Sequence, residues 1–167
     1  LIIIGGINGP LHNAIVAVIT PLKQKDGGIV LTQISIKLTL LLFVLGLLIY
    51  FNAGFLINLI APNLSDEGQS IATYQLKILT PCIPLSGFIG LSFGALNSRN
   101  KFFVSSLSPA ITSLITIIFI SWFLNYQDTS SNFLTNKGLL AFATLTGVFV
   151  QFSIQIWEIY KIGLLRL

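Results

Sequence analysis

From Leu38 to Ile60 no residue carries a formal charge, and the same holds for Ile78–Ser98, Phe102–Tyr126 and Gly138–Trp157. A helix crosses about 30 Å of hydrocarbon with about 20 mostly apolar residues. Each run is therefore long enough to span a bilayer. Leu1–Leu22 is a fifth run of the same kind, and the last continues towards Leu165. The runs are apolar nearly all round, as expected of helices that face lipid. They are too long and too continuous for a β-barrel, whose strands alternate over about ten residues. The fold class predicted is all-α: a polytopic transmembrane bundle forming a single domain over 1–167, with helices near 1–22, 38–60, 78–98, 102–126 and 138–165.

Composition removes the competing classes. Only 8% of residues are charged, against about 25% in average soluble domains, too few to cover a water-soluble fold. The net charge of +4 comes from short segments between the apolar runs and not from a basic, aromatic-interleaved surface, which argues against nucleic-acid binding. Cys82 is the single cysteine, so there is no intrachain disulfide and no CxxC pair. One His and five acids, mostly in loops, assemble no triad, carboxylate pair or metal site. No phosphate-binding glycine loop is present. No catalytic residue, cofactor or metal is expected. The chain starts inside an apolar run, and it is expected to be an internal piece of a longer protein.

The charges between the runs set an orientation. Segment 23–37 holds Lys23, Lys25 and Lys37 against Asp26, segment 99–101 holds Arg99 and Lys101, and the tail holds Lys161 and Arg166. Segments 61–77 and 127–137 are balanced or acidic. Basic excess in alternate loops obeys the positive-inside rule, so the first three are expected in the cytoplasm and the other two outside. In 61–68, Ser65, Asp66 and Glu67 stand where a following helix wants its N-cap and first-turn acids.

The polar and helix-breaking residues inside the runs are the functional candidates. GGINGPLHN (5–13) breaks an apolar helix with Gly5, Gly6, Gly9 and Pro10 and wets it with Asn8, His12 and Asn13. Backbone freed by such a break is tolerated where it is buried in protein or lines a wet cavity. Asn8 and His12, four apart, share a face. Two readings stand open for that face: a cavity wall touching a polar substrate, or a kinked helix bonded to its neighbours. In the third run Pro81 and Pro84 are expected to kink the outer end, and Ser86, Gly90 and Gly94 form a small-residue stripe for close helix packing. Asn97, Arg99 and Lys101 make the inner turn, with the cations at the membrane surface. Gln151 and Gln155, also four apart, either line the cavity or bond across helices.

Residues 5–22, with GGINGPLHN at their head, resemble the second helix of the MviN/MurJ family of lipid II flippases. Residues 78–117 resemble that family's fourth helix, inner turn and fifth helix, through Gly94, Leu96–Ser98, Phe102 and the later Pro109. The resemblance implies the multidrug/oligosaccharidyl-lipid/polysaccharide transporter fold, with this chain as helices two to six of an N-terminal lobe. It also implies a multi-pass protein of the plasma membrane. Its partners would be the bilayer, the remaining helices and an undecaprenyl-linked glycan lipid, lipid II, moved outward by alternating access. The family's basic residues before Gly9 fall near Ile3 and Ile4, and an acid falls at Asn8, so its charged substrate contacts are not carried over. Export of another lipid-linked glycan or of a drug is the alternative, and a membrane scaffold without transport is a second.

The orientation is open to a direct check. In a Cys82→Ser background, Asp128→Cys should react with an impermeant maleimide in intact cells, and Lys101→Cys only after permeabilisation.

Overall fold

The computed structural model describes residues 12–126 and 133–164. These form helices only: α1 (residues 12–19), α2 (Gln24–Phe51), α3 (Ala53–Ile60), α4 (Asp66–Leu79), α5 (Cys82–Ser98), α6 (Phe102–Tyr126) and α7 (Phe133–Lys161). The all-α transmembrane bundle is what the apolar runs dictate. Three helical segments are by themselves long and apolar enough to cross a membrane: Gln24–Phe51, Phe102–Phe123 and Lys137–Lys161. The pair α4 and α5, bent by 45° at its break, passes the same test as one broken span. Most of the first apolar run, including Gly5, Gly6, Asn8, Gly9 and Pro10, lies outside the described residues.

Several helix ends differ from the sequence expectation, each for a local reason. The segment 24–37 is helical, not a loop. Gly27 and Gly28 look like loop residues but are buried packing positions: a Cβ at Gly28 would lie 2.9 Å from the Leu164 carbonyl oxygen. The segment 61–77 is mostly helix as well. Ser65 caps α4, its Oγ accepting from the Gly68 N–H at 3.2 Å, with Asp66 and Glu67 in the first turn. This cap satisfies an orphan donor, and the acids face the positive end of the helix dipole. α7 ends at Lys161 instead of running towards Leu165. Gly163 takes φ +70°, and the Leu164 N–H bonds the Ile159 carbonyl at 3.1 Å, a glycine stop that closes the last turn.

The tight inner turn between α5 and α6 uses the same device. Asn100 adopts φ 59°, and the Lys101 N–H reaches the Leu96 carbonyl at 2.9 Å. Asparagine tolerates this left-handed conformation better than most side chains. Within α6, Pro109 cannot donate to the Ser105 carbonyl. The Ser108 hydroxyl bonds that carbonyl instead, at 3.2 Å, so the proline leaves no orphan acceptor in the membrane.

The main buried cluster lies at the end of the bundle that carries the α5–α6 turn. Ile15 and Ile19 of α1, Leu31 of α2, Leu91, Ala95 and Leu96 of α5, Ile159 of α7 and Leu164 form one buried cluster. Small residues set the approach distances. A Cβ at Gly94 would meet the His12 carbonyl and Ile15 at 2.9 Å, and one at Gly147 would meet the Thr112 carbonyl at 2.8 Å. In contrast Phe51, Ile60 and Phe103 are each more than 75% exposed, which suits lipid and not water.

Gly147→Val should therefore push α6 from α7 and lower stability by about 1–3 kcal/mol. Gly54→Ala, with open space around its Cβ, should leave it unchanged or slightly raised. Thermal unfolding of the purified full-length protein in detergent would read both.

Candidate functional site

His12 opens the described part of α1 beside the end of α5. Its Nε2 lies 2.8 Å from Asn97 Nδ2, and its Nδ1 lies 3.1 Å from Asn13 Oδ1. Asn97 Oδ1 accepts from the Ser105 hydroxyl at 2.6 Å. Asn97 thus faces two partners, its amide nitrogen turned to His12 Nε2 and its amide oxygen to the Ser105 hydroxyl, while His12 Nδ1 faces Asn13. The ring also meets Phe93 edge-on, with centroids 6.0 Å apart. Three helices, α1, α5 and α6, are thus joined by one hydrogen-bonded chain beside the α5–α6 turn. The imidazole is half-buried, and Asn13 is exposed. Asn8, the other half of the expected polar face, lies outside the described residues.

Arg99 does not simply reach for headgroups. Its Nη2 donates to the Leu22 carbonyl at 3.0 Å, placing a cation just past the C-terminal end of α1, where the helix dipole favours it. Gly27 gives it room, since a Cβ there would stand 3.0 Å from Nη2. The guanidinium Nε is buried without a partner. Gln24 Nε2 adds a bond to the Ile162 carbonyl. Lys101 stays exposed at the turn.

A second polar seam runs between α6 and α7. Gln155, fully buried, donates from Nε2 to Ser108 Oγ at 2.8 Å. Gln151 Oε1 accepts from Thr112 Oγ1 at 2.7 Å, and its Nε2 lies 3.4 Å from Ser108 Oγ. Thr112 also reaches the Gly147 carbonyl, and Thr116 the Ala143 carbonyl. Gln155 Oε1 alone in this seam is buried and unpaired. Of the two readings open for the glutamines, bonding across helices describes their geometry. Both side chains are turned into the α6–α7 seam because hydrocarbon offers no other partner.

Two cavities lie elsewhere. A polar one of about 470 Å³ sits between α3 and α4, and an apolar one of about 670 Å³ sits between α2, α5 and α7. Neither is lined by His12, Asn13, Gln151 or Gln155; Pro81 and Pro84 line the apolar one. Ser86 bonds back to the Ile83 carbonyl at 2.8 Å, while Gly90 and Gly94 are buried. Sequence reasoning missed Ser105, Ser108 and Thr112. Their signal was spacing: hydroxyls at i, i+3 and i+7 fall on one helix face. Among the described residues no group of His, Cys, Asp and Glu is placed to hold a metal ion.

Comparison with known proteins bears on all of this. The model of the family described as lipid II flippase MurJ matches residues 1–167. The probable lipid II flippase MurJ of Synechocystis is 32% identical over 99% of this chain and 32% of its own length. The lipid II flippase MurJ of Thermosipho africanus is 26% identical over 84% of this chain and 30% of its own length. A probable lipid II flippase MurJ of Buchnera aphidicola is 31% identical over 68% of this chain and 21% of its own length. The chain therefore spans about a third or less of the curated relatives it matches. No solved structure matches it significantly.

Removing one member of the seam should cost more than removing the pair. Ser108→Ala leaves the Gln155 amide unsatisfied and should destabilise the full-length protein by about 1–3 kcal/mol. Adding Gln155→Leu should recover part of that loss, as read by thermal unfolding in detergent.

Proposed function

Because the chain belongs to the lipid II flippase MurJ family, we propose that it forms part of a plasma-membrane flippase that carries lipid II outward for cell-wall synthesis. The observation that carries this reading is the family match over the whole chain. The structure contributes the plausibility of the parts: apolar helices able to cross a membrane, and polar groups gathered inside the helix bundle.

The mechanism follows from the chemistry of the cargo. A lipid-linked glycan has a polar head that hydrocarbon rejects and a polyprenyl tail that it accepts. The head enters a wet space between two lobes, of which this chain supplies part of one, while the tail stays in lipid. Rocking of the lobes then exposes the head to the other face. No bond is made or broken in the cargo, so the protein acts as a transporter without catalytic groups. Asn8, His12 and Asn13 form the wall towards the head, offering hydrogen bonds to sugar or phosphate. The bond from Asn97 to His12 holds that wall against α5. Gln151 and Gln155 serve the cargo indirectly, by keeping α6 and α7 together as the lobe moves.

Ile3 and Ile4 stand near the positions where the family resemblance leads one to expect cations. The phosphate groups must then find positive charge on parts of the protein beyond this chain.

The full-length parent protein, placed in a bacterium depleted of its own lipid II flippase, should restore exposure of lipid II on the outer face. A well-inserted protein that fails to do so overturns the cargo assignment in favour of the other lipid-linked glycans. In the rescued strain the Asn8→Leu/His12→Leu double variant should insert normally and flip lipid II at least about tenfold more slowly, each lost polar contact being worth about 1 kcal/mol.

A further inference from the structure

The two cavities share one floor. On the broken helix α4–α5, Asp66, Gln69, Ser70, Thr73 and Lys77 line the polar cavity. One turn beyond Lys77 the same path continues through Pro81, Pro84, Leu85 and Phe88, which line the apolar one. The 45° bend at the break lies between them. On one flank stand α3 above, with Gly54 and Asn58, and α2 below, with Thr39 and Phe43. On the other flank stands α7, with Phe149 and Phe152 beside the groove. The Phe88 and Phe152 rings meet edge to face at 5.0 Å, so the groove has a fixed aromatic base. A polar cup of about 470 Å³ thus stands over an apolar groove of about 670 Å³, in the order that an amphiphile would need in the outer half of a membrane.

The charges of the cup identify the polar end. Lys77 lies at its lower rim, Nζ 5.5 Å from the centre of the Tyr50 ring, an arrangement that steadies a cation without neutralising it. Among the described residues Lys77 has no carboxylate within ion-pair distance, whereas Lys137 is paired with Glu67 at 3.2 Å. Asp66 lines the upper rim, roughly three helical turns away. Between them Asn58, Gln69, Ser70 and Thr73 offer amides and hydroxyls. This set suits a phosphate at the bottom and hydroxyl groups above it.

We propose that the α4–α5 face is a binding site for an anionic phospholipid of the outer leaflet with a hydroxylated head, such as phosphatidylglycerol. The phosphate pairs with Lys77, the head hydroxyls meet the polar residues of α3 and α4, and an acyl chain fills the groove between α2, α5 and α7. The lipid wedges the kinked helix in its bent form. The site is separate from the His12 wall and does not depend on which cargo the protein carries.

The test uses the full-length protein in phosphatidylcholine nanodiscs containing phosphatidylglycerol with a photoactivatable acyl chain, or the matching phosphatidylcholine probe. Mass spectrometry of the digested protein should find the phosphatidylglycerol label on residues 81–88 and 145–152, about fivefold above the phosphatidylcholine label. Lys77→Gln should abolish that preference, and Lys77→Arg should keep it. Leu145→Trp, which fills the groove, should remove the label from both segments. The proposal is overturned if the label spreads evenly over all lipid-facing segments. It also fails if the two probes label equally, if Lys77→Gln keeps the preference, or if the segments stay unlabelled because another part of the chain covers them. Displacement of the label by a lipid-linked glycan but not by unlabelled phosphatidylglycerol would assign the groove to cargo and overturn it as well.

Discussion

Hydrocarbon offers no hydrogen bonds. An unsatisfied polar group there costs several kcal/mol, and most polar side chains buried among the described helices are paired, Ser35 Oγ, Arg99 Nε and Gln155 Oε1 being the exceptions. The backbone answers with helices. The side chains answer with partners on neighbouring helices: Asn97 to His12 and Ser105, Gln155 to Ser108, Gln151 to Thr112. Even Pro109 is answered, because the Ser108 hydroxyl takes the carbonyl that the proline leaves free. Apolar contacts alone have little power to choose between helix pairings in lipid, since tails are as apolar as leucine. The polar pairs and the glycine contacts therefore set which helices touch and where.

This constraint also explains how much was legible in the sequence. The all-α transmembrane class could be read from uncharged runs such as Leu38–Ile60, because a long apolar segment has few alternatives. The cap at Ser65 was equally visible, since its chemistry is local. Helix starts were harder. Gly27 and Gly28 carry the composition of a loop, and only the proximity of Leu164 and Arg99 shows them to be packing positions. α4 was read mostly as loop because its acids and amides resemble one. The glutamines were visible as polar residues in an apolar run, but their partners were not. Serine and threonine on α6 bond their own preceding turn and look inert until a second helix stands beside them.

Under the proposed function the arrangement has a consequence. A transporter that works by moving lobes needs each lobe to stay intact while the space between them opens and closes. The cluster of Ile15, Ile19, Leu31, Leu91 and Ile159 and the α6–α7 seam tie α1, α2, α5, α6 and α7 into one packed body. The half-buried His12 and the exposed Asn13 stand at its edge, the position the proposed cargo wall requires. The Arg99 bond to the Leu22 carbonyl holds the end of α1 against α5, so the wall that carries His12 moves with the lobe.

The most direct measurement of that account is a double-mutant cycle on His12 and Asn97 in the full-length protein, read by thermal unfolding in detergent. If polar pairing fixes α1 against α5, His12→Leu and Asn97→Leu will each destabilise the protein. The double variant will then be about 1–2 kcal/mol better than their sum. Strictly additive effects would show that the pair does not hold the helices together, and that apolar packing alone positions the wall.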